Sequence, residues 1–314
     1  MATTRIGTRA SALARWQANE VARLWRDAHP DATLEIVPLS SPGDEQPDAP
    51  LERMEGTGFF TSTLERALRS RAIDVAVHSY KDLPVEASAG LVVAAVPPRG
   101  PVEDALCARD RMTLDSLPRG ARVGTSSRRR IAQLRALRPD LALVPLRGNV
   151  PTRLERVARG ELDAVVLARA GVERLGLGER IIEIFPTARL LTAPAQGALA
   201  VQARADDAGR LAALAALDDA ATRRAADAER AVLHALRGGC SVPVGAFARL
   251  EGALVRIDAG VFALSGTRAL RVTRDGADAA AVGTAAAQGL LAEGAAEILS
   301  ELEREARVAW EPRS

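Results

Sequence analysis

Ile73-Asp74-Val75-Ala76-Val77-His78-Ser79-Tyr80-Lys81-Asp82-Leu83-Pro84 is an apolar run that turns polar and ends at a proline. Its first half reads as a buried strand. Polar residues just past the carboxyl end of such a strand sit where open α/β sheets receive their ligands. Lys81 stands out, because the chain holds one lysine against forty-one arginines. An ammonium is a compact point charge and a guanidinium a planar fork, so the two are not equivalent at a site. Lys81 and the adjacent Asp82 are the first candidates for a functional site.

Outward from this stretch, strand and helix patterns alternate. Thr4 to Gly7 reads as a strand, and Ser11 to about His29 as a helix with Leu13, Trp16, Val21, Leu24 and Trp25 at helical spacing. Leu34 to Val37 is a strand and Phe59 to Ser70 a helix. This order predicts a mainly parallel sheet with helices on both faces. The Pro-, Gly- and acid-rich stretch from Leu39 to Met54 predicts a long loop of the kind that forms lids. Leu91 to Val96 is a strand, and the Pro-Gly stretch 97–101 reads as a linker. The pattern then restarts with strand 122–124, helix 127–138, strand 141–146, helix 151–159 and strand 163–167. A second Pro-bearing stretch, 192–197, closes the block. Two such crossings predict two α/β lobes with a cleft between them. Beyond about Thr222 a helix to about Leu236 leads to Gly238-Gly239-Cys240. Strands near 242–250, 254–262 and 269–272 follow, with one last helix from Ala279 to about Arg307, which predicts a smaller α+β domain.

At 314 residues, two or three domains are expected. No apolar run approaches the ~18 residues of a membrane span. The early strand with no signal peptide ahead of it predicts a cytoplasmic protein. Two cysteines there predict no disulfide framework, and three scattered histidines give no metal-ligand spacing. The net charge of +2 conceals clustering, since 122–159 carries ten arginines against Asp140 and Glu155. Arg135, Arg138, Arg156 and Arg159 fit a solvated helix face. The remainder points to a polyanionic ligand. Single-stranded nucleic acid needs aromatic stacking platforms, and 122–159 has none. A small polyanion in a cleft is the better match.

Two turns, one per lobe, look alike: Gly7-Thr8-Arg9-Ala10-Ser11 and Gly124-Thr125-Ser126-Ser127-Arg128. Each joins a strand to a helix through hydroxyl residues that cap orphan amides, and such helix starts also hold anions. Cys240, on a Gly-Gly loop between helix and strand, is the second candidate. Covalent attachment of a group is at least as good a reading as turnover catalysis, since no cysteine-hydrolase partner is apparent. Cys107 reads as core strand. A non-catalytic two-lobed binder of a polycarboxylate stays open on these residues alone, and Cys240 is what would discriminate.

Taken together, these segments resemble the porphobilinogen deaminase (hydroxymethylbilane synthase) family over nearly the whole chain. The resemblance rests on 8–11, 77–84, 124–130, 146–153, 195–198 and 238–240 in order. It implies an α/β fold of two periplasmic-binding-protein-like lobes with a cleft between them and a smaller α+β C-terminal domain. The implied division is 1–98 with about 197–217, then 103–192, then 220–314. The implied activity joins four porphobilinogen units head to tail, releasing ammonia, to give hydroxymethylbilane for tetrapyrrole and heme synthesis. The implied cofactor is a dipyrromethane joined by a thioether to Cys240. The resemblance further implies Asp82 as the catalytic group, beside the pyrrole nitrogen of a cationic azafulvene. It implies Lys81, Thr125, Ser127, Arg129, Arg130 and Arg153 as cofactor contacts, and Arg9, Ser11, Gln17, Arg147, Arg174 and Gln196 as substrate contacts. Each pyrrole carries an acetate and a propionate, so a growing chain accumulates carboxylates that need fixed cations. Partners would be porphobilinogen and the polypyrrole chain, with no nucleic acid, membrane or metal, in a monomer. Thr57, where many members have Lys, and Arg128, where an apolar residue often stands, depart from the family pattern.

Overall fold

The computed structural model describes residues 3–40, 62–237 and 242–308. Thr57, Cys240 and nearly all of the 39–54 stretch lie outside the described residues. The chain begins with β1 (Thr4–Arg9), α1 (Ala12–Ala28), β2 (Leu34–Leu39), α2 (Ser62–Arg69), β3 (Val75–Ser79) and β4 (Leu91–Ala95). After the first crossing come β5 (Asp104–Ala108), β6 (Arg122–Gly124), α3 (Arg128–Leu137), β7 (Ala142–Val144), α4 (Val150–Ala158), β8 (Ala164–Ala168), α5 (Arg169–Glu173) and β9 (Glu183–Phe185). The chain returns through β10 (Leu199–Arg204) and α6 (Ala208–Leu214) to α7 (Ala220–Ala235). It ends with β11 (Val244–Glu251), β12 (Leu254–Phe262), β13 (Ala269–Gly276), α8 (Ala279–Ala292) and α9 (Ala295–Val308).

Two five-stranded sheets result, with orders β2-β1-β3-β10-β4 and β7-β6-β8-β5-β9. Each is mixed rather than mainly parallel, which corrects the reading from sequence. β1 pairs parallel with β2 and β3, but β10 runs antiparallel to both β3 and β4. The second sheet repeats this, with β5 antiparallel to β8 and β9. The cause is the double crossing. β10 and β5 enter their sheets from the other lobe, at the edge where β3 and β8 end, so they run the opposite way. The Tyr80 amide accordingly donates to Ala198 O at 3.0 Å.

The lobes are built on the same local chemistry. The Arg5 and Arg122 amides donate to Asp74 and Asp163 at 2.8 and 2.7 Å, so one acid staples β1 to the start of β3 and another β6 to the start of β8. Gly7 and Gly124 sit at matching register, and an added Cβ would stand 2.2 Å from Ile73 Cδ1 or 2.8 Å from Leu162 Cδ1. Ser11 and Ser127 cap α1 and α3 by accepting the Ala14 and Arg130 amides. Alternation along β3 sends Val75 and Val77 to α1 residues Val21 and Trp25, and Ala76 to α2 residues Leu64 and Leu68. Helices therefore cover both faces.

The smaller domain is a three-stranded antiparallel sheet, β11-β12-β13, with Val255, Ile257, Ala259 and Val261 packed on α7 and α8. Its last helix is two helices, not one. Gly294, at φ +95°, stops α8 in a left-handed cap that a side chain would strain. No helix among the described residues is long and apolar enough to cross a membrane.

Arg135 and Arg138 are not merely solvated, a second correction. Arg135 donates to Leu264 O at 2.6 Å, reaching the small domain. Arg138 grips Asp140 with two bonds at 2.8 Å and the carbonyls of Leu114 and Leu117 at 2.5 and 2.9 Å. Charge-assisted bonds of this kind each contribute about 1.5–3 kcal/mol when lost with their acceptors left dry. Arg138→Ala should therefore lower stability by about 1–2 kcal/mol, allowing for partial exposure, read as a lower urea midpoint at unchanged slope.

Candidate active site

β3 ends at Ser79, and Tyr80–Asp82 form a single 3-10 turn. The turn faces a cavity of about 90 Å³ lined by Arg9, Ser11, Gln17, His78, Ser79 and Asp82. The buried Gln17 side chain donates to Ser79 Oγ at 2.7 Å, so α1 holds the strand end in place. His78 is buried, and burial pushes its imidazole down to about 4, so it stays neutral at ordinary pH. Asp82 is exposed at the cavity mouth.

Lys81 connects the lobes. Its Nζ donates to Gln196 Oε1 at 3.2 Å, and Gln196 Nε2 donates onward to Asp104 at 2.9 Å and to Val102 O at 2.7 Å. Gln196 is fully buried on the return crossing. The adjacent Gly197 has φ +85°, and a Cβ there would lie 2.6 Å from the Gly100 and Pro101 carbonyls. The two crossings touch at this point, with the Gly100 amide donating to Gly197 O at 3.2 Å.

Asp104 opens β5 and has no exposed surface. It accepts Arg129 Nη1 at 2.7 Å and Arg130 Nη2 at 2.6 Å. Burial alone would raise its carboxyl, but the two guanidiniums win and hold it well below the usual carboxylate range. Arg129 and Arg130 also donate to Leu191 O at 2.6 Å and Val166 O at 2.9 Å. The two arginines are thus fixed forks that share one acid, which leaves positive charge over.

Burial pulls the Lys81 ammonium down to about 8; Asp82 opposes that shift and Arg130 adds to it. Burial likewise pushes Arg153 down to about 10, with Arg130 adding and Asp82 opposing. Lys81 and Asp82 of one lobe therefore feel the charges of Arg130 and Arg153, respectively, of the other. Arg153 Nε donates to Gly148 O at 2.7 Å. Thr125 is buried and accepts the Ser127 amide at 3.3 Å. Arg147 stands half-buried just after Leu146, whose amide and carbonyl are both bonded to Ser126 Oγ.

Arg174 occupies a different place. Its Nη2 donates to Gly197 O at 2.6 Å, and its guanidinium lies 5.3 Å from the Trp16 ring centroid, so it rests on the crossing rather than among the cavity residues. Cys107 is buried in β5, and burial pushes its thiol up to about 11, which suits a core residue. No group of three or more His, Cys, Asp or Glu among the described residues is placed to hold a metal. Asp104 is the site residue that sequence reasoning missed. Its signal was an acid opening the otherwise apolar strand Asp104-Ala105-Leu106-Cys107-Ala108.

Residues 4–212 match a family model described as porphobilinogen deaminase, dipyromethane cofactor binding domain. Residues 224–292 match the model described as porphobilinogen deaminase, C-terminal domain. A porphobilinogen deaminase of Xanthomonas euvesicatoria pv. vesicatoria is 48% identical over 304 residues, covering 96% of this chain and all of that one. One of Nocardia farcinica is 49% identical over 311 residues, covering 95% of this chain and 88% of that one. Among solved structures, a putative methionine-binding lipoprotein of Bacillus subtilis aligns with TM-score 0.43 at 15% identity, covering 70% of this chain and 92% of that one. The two-lobed arrangement stands on the sheet orders above rather than on that likeness. With both models matched in chain order and near-half identity sustained over nearly full length, the chain belongs to the porphobilinogen deaminase family.

Proposed function

We propose that the cleft between the two lobes is where this chain, a transferase, polymerises porphobilinogen to hydroxymethylbilane in tetrapyrrole synthesis. The observation that carries the reading is the charge pattern around Asp82. Lys81 and Arg153 feel the charge of Asp82, while Arg129 and Arg130 hold Asp104, which Gln196 links to Lys81. A dipyrromethane brings several carboxylates and two pyrrole N–H groups, and this donor set fits it. Lys81, Arg129, Arg130 and Arg153, with the hydroxyls of Thr125 and Ser127, would hold its carboxylates. Arg9, Ser11, Gln17 and Arg147 would serve the incoming unit, whereas Arg174 on the crossing and the buried Gln196, bonded to Lys81, Asp104 and Val102, would act only by holding the cleft together. Cys240 would carry the thioether. When bound, the dipyrromethane supplies the free pyrrole carbon on which the chain grows.

Each addition forms one carbon–carbon bond, breaks the aminomethyl C–N bond of porphobilinogen and the C–H bond of the pyrrole carbon that joins it, and releases ammonia. Positive charge develops on the pyrrole as ammonia departs. Asp82 opposes that charge and accepts a proton afterwards. The arginines keep their charges throughout and only bind and orient. On this reading residues 1–98 with about 197–217 supply the acid, 103–192 the arginines and 220–314 the tether.

Ammonia release and product formation from porphobilinogen test the activity directly. Carboxylates accumulate as the chain grows, so different cations should matter at different stages. Loss of a charge-assisted contact costs about 1.5–3 kcal/mol. Arg9→Leu, Arg147→Leu and Arg153→Leu should each lower turnover by roughly 10- to 100-fold. Each should also stall with a different number of added pyrroles, or fail to load the primer. Arg156→Leu and Arg159→Leu should keep wild-type behaviour, since those residues pair with Glu161 and Glu155 on the surface of α4. Wild-type rates and intermediate distributions in all three cleft variants would refute the substrate site.

A further inference from the structure

Helix α7 belongs to the small domain, yet its side chains grip the turn that presents Asp82. Arg230 Nη1 donates to Leu83 O at 3.1 Å and Tyr80 O at 3.4 Å, while Nη2 donates to Pro84 O at 2.5 Å. Its guanidinium also lies 4.5 Å from the centroid of the Tyr80 ring. These three carbonyls bracket Lys81 and Asp82. A loop carbonyl buried without a donor is costly, and here a different domain supplies the donors.

Arg230 also stands on a fixed base. The neighbouring Glu229 is fully buried and takes both Arg99 nitrogens at 2.8 Å, the Ala195 amide at 2.6 Å and the Ala248 amide at 2.7 Å. One carboxylate therefore ties α7 to both crossings and to β11. The helix cannot shift without breaking charge-assisted bonds at that point. Ala235 ends α7, and Cys240 follows five residues later.

We propose that Arg230 is a positioning residue for Asp82. It holds the acid at a set place relative to α7 and, through Glu229, to both crossings. This rests on the reading of Asp82 and Cys240 given above. Arg230 does not line the cavity, and it meets the 80–84 turn through its backbone carbonyls and the Tyr80 ring. Its loss should therefore lower turnover of bound substrate rather than binding.

A double-mutant cycle between Arg230→Met and Asp82→Asn, in protein carrying its adduct, tests this. Methionine keeps the apolar stem and removes the donors. Rates are normalised to the loaded fraction by intact mass. Misplacement of a reacting group by about 1 Å costs up to ~10²-fold, so Arg230→Met should lower kcat by roughly 10- to 100-fold with KM changed less than about threefold. Arg230→Lys, which keeps the cation over Tyr80 but not the fork, should recover part of that loss, and it carries the cycle if the methionine variant does not fold. In the Asp82→Asn background either change should cost less than about twofold further, since nothing remains to position. Equal losses in both backgrounds, or undiminished kcat with Asp82 present, would overturn the proposal. Failure of the Asp82 reading itself would appear separately, as wild-type turnover in Asp82→Asn alone.

Discussion

Turnover should fall by about 10²–10³ in Asp82→Asn, in protein that folds normally and keeps its adduct. The side chain is exposed at the cavity mouth, so an isosteric amide meets no new packing demand. The substitution removes the one carboxylate of the Tyr80–Asp82 turn. A pyrrole that becomes cationic as ammonia leaves would then face Lys81 and Arg153 with no opposing charge beside it. Like charge would raise the barrier at the step where the C–N bond breaks. The same change removes the upward pull of Asp82 on Lys81 and Arg153, leaving burial to depress both further. Steady-state rates with intact mass and thermal melts check this. Wild-type turnover in a loaded, folded variant would reject Asp82 as the acting group.

Cys240→Ser should abolish both the adduct and measurable turnover. A hydroxyl is a far weaker nucleophile than a thiol near neutral pH, so the thioether cannot be replaced by an ether under the same conditions. Without a tether, each intermediate is free to leave between additions. Cys107→Ser is the matched control. That thiol is buried among Leu146, Leu162 and Val165, and its upward shift to about 11 keeps it protonated. Its serine variant should keep adduct and turnover while losing about 1–3 kcal/mol of stability from the buried hydroxyl. An adduct that persisted in Cys240→Ser would place the attachment elsewhere.

The local signals in this chain were strong where one element decides its own conformation. Apolar runs with polar ends identified β3 and β8, and hydroxyl caps marked the starts of α1 and α3 at Ser11 and Ser127. The two-lobed α/β class followed from their alternation. Strand direction did not follow. β5 and β10 are apolar runs like any other, and only the position of the crossings makes them antiparallel. Gly294 was visible as a letter, but a long alanine-rich periodic pattern on both sides of it masked the break. At the site, Lys81 and the arginines were legible from composition. Their partners were not: Gln196 reaches Lys81 across 115 residues and Asp104 across 92, and such contacts are set by the fold rather than by spacing. Arg138 was misread because a solvated arginine and one that caps carbonyls look alike in sequence.

Intact mass of the purified protein, before and after a brief exposure to porphobilinogen, tests the central claim most directly. The reading predicts a resting mass above that of the sequence by one dipyrromethane, lost in Cys240→Ser. After exposure it predicts a ladder of species, each heavier by one pyrrole unit, collapsing back as product leaves. Fully active protein at the unmodified sequence mass, with no ladder, would contradict covalent chain growth on Cys240.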